Sequence, residues 1–290
     1  MFLRILGACL LALLLASGPA LAEKKKTVRL VYVEWPCAVV THYIAKVAIE
    51  EKLGRPVELM PVSVPLMFQA LATGEADATL AGWLPETHGP YLKKLGDRLE
   101  DLGPLLTGAR MAWVVPDYVP YKTMEELRGK AREFKGVIYG IEPGAMYMES
   151  SEKAIEAYGL EGFSLVASSD AVMVSMLAEA IRKKEYIVVT GWAPHWKFGK
   201  WDLHFLEDSQ NMFGKAEGIH AIARSKLKQD MPEVYALLDN FYFTDPAQLQ
   251  KLMAENMEKG ADPLKNAKKF IDNNPEQVNS WLRPGGSESK

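Results

Sequence analysis

The sequence predicts an α/β protein of two lobes, each with its own mixed, mostly parallel sheet and with a ligand cleft between them. Strand and helix patterns alternate twice along the chain, first over residues 28–83 and again over residues 111–192. Short apolar runs bounded by glycine, proline or serine are typical of strands, and apolar residues at helical spacing separate them. Such alternation favours parallel strands covered by helices, and extended chain crossing twice between the halves predicts a hinge.

The first half contains three predicted strands and two predicted helices. Gly54 and Pro56 turn the chain between the first helix and the second strand, and a third apolar run leads to Trp83. The predicted strands cover residues 28–33, 57–62 and 79–80, and the predicted helices cover residues 39–52 and 65–73.

The second half repeats the pattern with its own start signals. Thr123 and Glu126 form a capping-box pattern, Gly144 lies in a turn, and Ser169 precedes a predicted helix as its cap. Predicted strands cover residues 136–141 and 186–189, and predicted helices cover 149–158, 171–183, 232–241, 246–259 and 263–273. We expect residues 27–112 to form the first part of lobe I, 113–204 lobe II, 205–282 the rest of lobe I with the C-terminal helices, and 283–290 a disordered tail.

Three tryptophans occupy matching contexts, each after an apolar run and just before a proline: V-E-W-P at Trp35, A-G-W-L-P at Trp83 and T-G-W-A-P-H-W at Trp192. A tryptophan that serves only core packing lies more often inside a periodic helix or strand. We therefore expect these indoles on loops at strand ends, where several ring faces can surround one point. Such an aromatic cage attracts a quaternary ammonium by cation–π interaction, and three independent core tryptophans are the alternative.

The first 22 residues predict a secretory signal peptide, with one positive charge, an apolar run over residues 5–15 and the pattern Ala20-Leu21-Ala22. Cleavage after Ala22 would deliver the chain to the periplasm, which is the location that we expect. The L-G-A-C segment ending at Cys9 offers a lipoprotein alternative, but a lipidation cysteine follows its apolar stretch, and Cys9 lies near the beginning of this one.

Composition excludes several classes of function. A net charge of −3 with mixed signs provides no basic face for nucleic acid. The five histidines form no H-E-x-x-H motif and no cluster with cysteine, so we expect neither a metal nor a cofactor. Removal of the signal peptide would leave Cys37 as the single cysteine, which excludes an intramolecular disulfide. The sequence has no G-x-S-x-G motif, so we expect a binding protein and not an enzyme. We also expect a monomer.

The chain resembles the substrate-binding proteins of glycine betaine and related compatible-solute ABC transporters over residues 27–281. The resemblance rests on five segments in combination: G-E-A-D-A-T-L-A-G-W-L-P-E-T-H (74–88), D-L-G-P (101–104), G-I-E-P-G-A (140–145), I-V-V-T-G-W-A-P-H-W (187–196) and F-L-E-D (205–208). It implies a type II periplasmic-binding-protein fold, a membrane permease as partner and a tryptophan prism around a quaternary-ammonium ligand.

The resemblance assigns ligand-binding roles to six positions. The prism falls on Trp35, Trp83 and Trp192, the carboxylate-holding histidine on His195, and the backbone amide donors on Gly144 and Ala145. Residue chemistry agrees, because a zwitterion such as betaine needs an anion site near its cation site, and His195 follows Trp192 by three residues. A loop-bracing role is the alternative for His195.

Two departures from the family pattern flank the expected cleft: Glu142 replaces a common aspartate, and Pro36-Cys37 follows Trp35 where more polar residues are expected. They leave proline betaine, carnitine, choline and dimethylsulfoniopropionate open as ligands, with choline least favoured because it lacks a carboxylate. A sugar-binding protein or an α/β hydrolase is a more distant alternative, since a sugar would need Asp, Asn and Arg around the rings. The roles of Glu142, Cys37 and Trp196 stay open at this point.

Overall fold

A computed structural model describes residues 25–283. The predicted signal peptide at residues 1–22, Cys9 and the tail residues 284–290 lie outside this range. Arg283, the first residue of the predicted disordered tail, is described, and its backbone carbonyl accepts a hydrogen bond of 2.9 Å from the Asn240 side chain. No helix within residues 25–283 has the length and apolarity needed to cross a membrane.

The first sheet has strand order β2-β1-β3-β9-β4. Its first three strands, β1 (Val28–Tyr32), β2 (Val57–Pro61) and β3 (Ala78–Leu84), run parallel, as the alternating pattern predicts. β9 (Glu217–Arg224) joins them antiparallel between β3 and β4 (Leu99–Pro116), so the sheet is mixed. Helices α1 (Pro36–Ala48), with a π-helical extension Ile49–Leu53, α2 (Val64–Thr73) and α3 (Gly89–Leu95) connect or follow these strands.

The 18-residue strand β4 belongs to both sheets. Its residues 99–109 pair with β9, whereas residues 110–114 pair with β7 (Val188–Ala193) and residues 114–116 with β8 (Leu203–Phe205). The second sheet continues from β7 to β5 (Val137–Tyr139) and β6 (Ser164–Val166), which are parallel to each other. The chain therefore changes sheets between Ala109 and Arg110 and re-enters the first sheet at β9. The predicted lobe boundaries at 112 and 204 stay predictions.

The remaining helices cover the second sheet or return to the first. They are α4 (Met146–Ala157), α5 (Asp170–Lys183), α6 (Lys197–Lys200), α7 (Leu227–Asp230), α8 (Pro232–Asp239), α9 (Pro246–Asn256), α10 (Pro263–Asn273) and α11 (Pro275–Trp281). α9 and α10 pack against α1. The predicted cap of α5 is present, because the Ser169 side chain accepts a hydrogen bond from the Val172 N–H. The capping box at Thr123 forms both of its hydrogen bonds, yet it closes only a 3₁₀ turn, Glu125–Leu127.

Helix α4 begins three residues before the predicted start. Gly144 takes φ +90°, a left-handed conformation that glycine adopts without a Cβ clash, and Ala145 then has extended backbone as the N-cap residue. No helix breaker follows Ala145, so the helix starts at Met146. This start brings the first turn of α4 to the region between the two sheets.

The positions of the tryptophans correct one prediction. Trp83 and Trp192 are not on loops beyond the strands, because each is the second-to-last residue of its strand, β3 or β7. Pairing with β9 and β4 extends both strands through the tryptophan, a long-range contact that local apolar runs do not reveal. Trp35 is the N-cap residue of α1, just after β1, as expected of a strand-end loop.

The glycine before each strand tryptophan has a packing reason. A Cβ at Gly82 would collide with the Ile222 side chain on β9, and a Cβ at Gly191 would collide with the Val114 side chain on β4. Both G-W-x-P segments also contain a cis peptide bond before the proline. The two lobes thus use the same local design to hold an indole against a neighbouring strand.

Candidate functional site

A cavity with an empty volume of ≈ 330 Å³, its mouth included, lies between the two sheets. Strand β3 and its following turn line one side, and β7 with the start of α4 lines the other. The lining residues are Trp35, Trp83, Thr87, His88, Met111, Ile141, Ala145, Met146, Tyr147 and Trp192.

The structure brings the three predicted tryptophans to this one cavity. Trp35 and Trp83 come from the first lobe and Trp192 from the second, and their exposed fractions are 7%, 3% and 4%. Most of each indole is therefore packed, and the remaining surface faces the cavity. Of the other predicted residues, Ala145 lines the cavity, whereas Gly144 shapes the adjoining turn and is not among the lining residues.

Glu142 holds one of these rings across the cleft. The Trp35 Nε1–H donates a 2.7 Å hydrogen bond to Glu142 Oε1, which joins the start of α1 in the first lobe to the turn before α4 in the second. Burial raises the pKa of Glu142, and its own backbone N–H and the Trp35 N–H oppose that shift. The departure at Glu142 therefore has a structural role, which is to orient Trp35.

Tyr147 ties the second-lobe side of the cavity together. Its hydroxyl donates to the Gly191 carbonyl and accepts from the Gly191 N–H, both at 2.9 Å. Because Gly191 directly precedes Trp192, this pair of hydrogen bonds fixes the tryptophan strand relative to the first turn of α4. Sequence periodicity contains no signal for such a contact between residues 44 positions apart.

His88 is the polar side chain that sequence reasoning missed. Its Nδ1 accepts a 2.9 Å hydrogen bond from the Trp83 backbone N–H, so the proton of the neutral ring lies on Nε2. Burial lowers the pKa of His88 to about 3, which keeps the ring neutral. The ring stacks parallel to Trp35 with an interplanar angle of 8° and lines the cavity. His88 thus presents one N–H donor beside the tryptophans.

A buried carboxylate fixes the turn that carries His88. Glu217 Oε1 accepts hydrogen bonds from the backbone N–H groups of Glu86 (2.7 Å) and Thr87 (2.9 Å), and Oε2 accepts from the Thr87 hydroxyl. Glu217 is 3% exposed and lies on β9, where the chain re-enters the first sheet. The turn between β3 and α3 is therefore anchored to β9.

The start of α4 supplies further donors. The first N–H groups of an α-helix have no acceptor within the helix, and those of Met146 and Tyr147 lie at the first two helical positions. Both residues line the cavity. The positive end of the helix dipole adds to their preference for an anion.

His195 does not take the predicted place at the cavity. The ring is fully buried, its Nδ1 accepts from the Lys197 N–H at 3.2 Å, and its Nε2 lies 3.1 Å from Asp170 Oδ1. Both nitrogens are thus engaged, and His195 is absent from the cavity lining. Its ring packs edge-on against Trp192 and stacks on Trp196. This geometry matches the loop-bracing alternative and not a carboxylate donor, because the chain places His195 behind Trp192.

Trp196 and Cys37 also lie behind the cavity. Trp196 packs between His195 and Trp201 and does not line the cavity. Cys37 is buried in the first turn of α1, and burial raises the pKa of its thiol to about 12. Among residues 25–283, no group of three or more His, Cys, Asp and Glu side chains could hold a metal ion.

Three buried neutral histidines make the fold sensitive to acid. Burial lowers the pKa of His42 to about 4, of His88 to about 3 and of His195 to about 4. In the unfolded chain a histidine takes up its proton near pH ~6.5. The contribution of the buried neutral rings to the free energy of unfolding is therefore complete above that pH, and it declines as the pH falls toward 4. We expect the free energy of unfolding to drop by roughly 3 kcal/mol per histidine by pH 4.

Thermal unfolding followed by circular dichroism between pH 7.5 and 4 measures this effect. A His195→Gln variant, which carries no titrating ring at that position, should show a shallower decline than the parent chain. A melting temperature that is constant over the whole range would contradict the assignment of buried neutral rings.

Comparison with known proteins identifies the family. A family model described as the substrate binding domain of an ABC-type glycine betaine transport system matches residues 26–273. The chain belongs to this family. The family is one of transport substrate-binding proteins.

Relatives and solved structures agree with this membership. The glycine betaine/carnitine transport binding protein of Listeria monocytogenes is 43% identical over 164 residues, a match that covers 56% of this chain and 53% of the relative. This chain thus spans about half the length of that relative. The lactococcal OpuAC structure in its closed form with glycine betaine is 36% identical with a TM-score of 0.83, covering 89% of this chain and 100% of that one.

Two further structures are similar at comparable coverage. The glycine betaine/L-proline-binding protein of Borrelia burgdorferi has a TM-score of 0.85 and 35% identity over 89% of this chain and 97% of that one. A choline-binding protein of an ABC transporter, solved with choline, has a TM-score of 0.82 and 26% identity over 90% of this chain and 93% of that one. The predicted two-lobed periplasmic-binding-protein fold is confirmed.

Proposed function

We propose that this protein captures glycine betaine, or a related zwitterion with a quaternary ammonium, in the periplasm and delivers it to the membrane permease of an ABC transporter. The observation that carries the proposal is the convergence of three indoles and one neutral histidine donor on a single cavity between the lobes. Membership in a family of glycine betaine transport systems supports the same ligand class.

The cation half of the ligand is recognised by aromatic surface. A trimethylammonium group has no N–H to donate, so hydrogen-bond acceptors give it no directional partner. The faces of Trp35, Trp83 and Trp192 attract it through their quadrupoles, and the apolar side chains of Met111 and Ile141 exclude water. Desolvation strengthens each of these contacts.

The carboxylate half is recognised by donors that are already oriented. His88 Nε2–H is fixed in its tautomer by the Trp83 N–H, and the first N–H groups of α4 converge from the opposite lobe. Hydrogen bonds to a charged acceptor contribute about 1.5–3 kcal/mol each, which is enough to separate betaine from a ligand without a carboxylate. This assignment replaces His195 with His88.

Ligand contacts from both lobes couple binding to the relative position of the lobes. Trp83 and His88 belong to the first lobe, whereas Trp192 and the start of α4 belong to the second. A betaine between the lobes contacts both of them only when they are close together, so its binding favours the closed arrangement. A permease can then distinguish loaded from empty protein by shape.

The lining argues against the sugar alternative. Apart from the indole N–H groups, only Thr87, His88 and Tyr147 among the ten lining residues have polar side chains, and the Tyr147 hydroxyl is already paired with Gly191. A sugar has hydroxyl groups around its whole ring and would leave most of them without partners in this cavity. The same lining admits proline betaine and dimethylsulfoniopropionate, which also combine a methylated cation, an ammonium or a sulfonium, with a carboxylate.

Isothermal titration calorimetry of the purified protein with glycine betaine, proline betaine, carnitine, dimethylsulfoniopropionate, choline and maltose tests the proposal. We expect the tightest binding for glycine betaine or a close methylated analogue, weaker binding for choline and none for maltose. Absence of binding to all five methylated solutes would overturn the proposal.

A further inference from the structure

Lys197 is a buried cation that the proposed binding mechanism does not use. It is the first residue of α6 and is fully buried, and its ammonium has no hydrogen-bond partner among the described residues. An unpaired ammonium is costly to bury, and an apolar side chain of similar length would fill the same space without that cost. Packing alone therefore gives no reason for a lysine here.

The Lys197 ammonium contacts a tryptophan of the cavity. Its Nζ lies 4.7 Å from the ring centroid of Trp192 and 5.7 Å from that of Phe198. Trp192 lines the cavity, whereas Lys197 does not. The lysine and a ligand in the cavity thus contact different parts of one indole. The Lys197 ammonium and the cation of a bound ligand are both attracted to the Trp192 ring, and the two positive charges repel each other.

The other ionisable groups in this part of the fold lie on α6 itself and on two further helices. Asp170 at the start of α5 faces His195, Cys37 lies in the first turn of α1, and Lys200 one turn along α6 lies over Trp196 and Trp201. Burial lowers the pKa of Lys197 to about 8, and the charge of Asp170 opposes this shift.

Few of the neighbouring groups titrate together with Lys197. His195, with a pKa of about 4, and the Cys37 thiol, with a pKa of about 12, stay neutral between pH 6.5 and 9.5. On the cavity side, His88 is neutral over the same range, because its pKa is about 3. Between pH 6.5 and 9.5, deprotonation of Lys197 therefore removes a positive charge that lies directly against Trp192.

We infer that Lys197 is a specificity-determining residue whose ammonium, placed against Trp192, disfavours cations without a carboxylate relative to zwitterionic betaines. The inference rests on the proposed function. Choline carries a net charge of +1, so the lysine repels it without compensation. A betaine has no net charge, and the attraction between the lysine and its carboxylate offsets part of the repulsion of its ammonium.

The test compares Lys197→Met with Lys200→Met, which removes an exposed lysine three residues away on the same short helix. Calorimetry measures the affinity for glycine betaine and for choline at pH 6.5 and pH 9.5. At pH 6.5 we expect Lys197→Met to bind choline about five- to tenfold more tightly than the parent chain, with a change of less than about twofold for betaine. Lys200→Met should retain the parent ratio.

The pH dependence gives a second readout that packing alone would not change. In the parent chain, raising the pH from 6.5 to 9.5 removes the lysine charge and should strengthen choline binding relative to betaine. Lys197→Met should lack this response, and it should fold at least as stably because it loses an unpaired buried charge. If the methionine variant does not fold, Lys197→Gln and the pH series of the parent chain supply the same comparison.

The outcomes separate this inference from the proposed function. A parent chain that binds no betaine would overturn the proposed function itself. A parent chain that binds betaine while Lys197→Met leaves the betaine-to-choline ratio unchanged, including the case in which neither protein binds choline, would overturn only the role of Lys197. A pH response that persists in Lys197→Met would also overturn it.

Discussion

Replacing Trp83 with alanine is expected to weaken glycine betaine binding by roughly 1–2 kcal/mol or more, which is about a fivefold to thirtyfold or greater rise in Kd. Trp83 is 3% exposed, lines the cavity and lies on a strand that β9 holds by pairing. Its removal takes away one face of the aromatic surface and admits water beside the cation. Trp83→Phe should recover part of the loss, because a smaller ring retains a weaker quadrupole.

Trp201→Ala is the matched control, since Trp201 packs on Trp196 and does not line the cavity. We expect it to lower the melting temperature and to leave betaine affinity within about twofold of the parent value. Calorimetry and thermal unfolding on the same preparations distinguish the two effects. A Trp83→Ala protein with unchanged affinity and a reduced melting temperature would show that Trp83 serves only the core.

Replacing His88 with alanine is expected to weaken betaine binding by roughly 1–3 kcal/mol while choline affinity falls much less. The His88 Nε2–H is the side-chain donor that the geometry offers to a carboxylate, and choline has no carboxylate to accept it. The substitution also leaves the Trp83 N–H without its acceptor, so the ratio of the two affinities is the informative quantity. If the substitution loosens the turn and weakens the binding of both ligands equally, that effect cancels in the ratio of the two affinities.

His195→Ala provides the direct comparison, because His195 was the histidine that the family resemblance selected. Its ring braces Trp192 and bonds to Asp170 and the Lys197 backbone. We therefore expect similar losses for betaine and choline in this variant. A selective loss of betaine binding in His195→Ala, together with equal losses in His88→Ala, would reverse the two assignments.

The difference between the two histidines shows how far the sequence could predict this site. The repeated G-W-x-P context was enough to select Trp83 and Trp192, because a strand pattern followed by a proline is a local signal. Both histidines also follow a tryptophan within five residues. Only the three-dimensional contacts distinguish the two histidines. The hydrogen bond from the Trp83 N–H orients His88 toward the cavity. The Lys197 N–H and Asp170 hold His195 behind the cavity.

The fold shows the same division between local and long-range information. Helical periodicity and caps predicted α2, α5 and α10 to within one residue of their ends. The antiparallel insertion of β9 and the passage of β4 between the sheets depend on pairing between distant segments, which periodicity does not encode. The early start of α4 mattered most for function, because it brings Met146 and Tyr147 to the cavity.

A crystal structure of this protein with glycine betaine tests the central claim most directly. We predict the ligand nitrogen within about 6 Å of the ring centroids of Trp35, Trp83 and Trp192. We also predict a carboxylate oxygen at about 2.7–3.2 Å from His88 Nε2 and from a backbone nitrogen at the start of α4. A betaine bound outside this cavity, or one whose carboxylate contacts His195 while His88 Nε2 has no contact with it, would contradict the account.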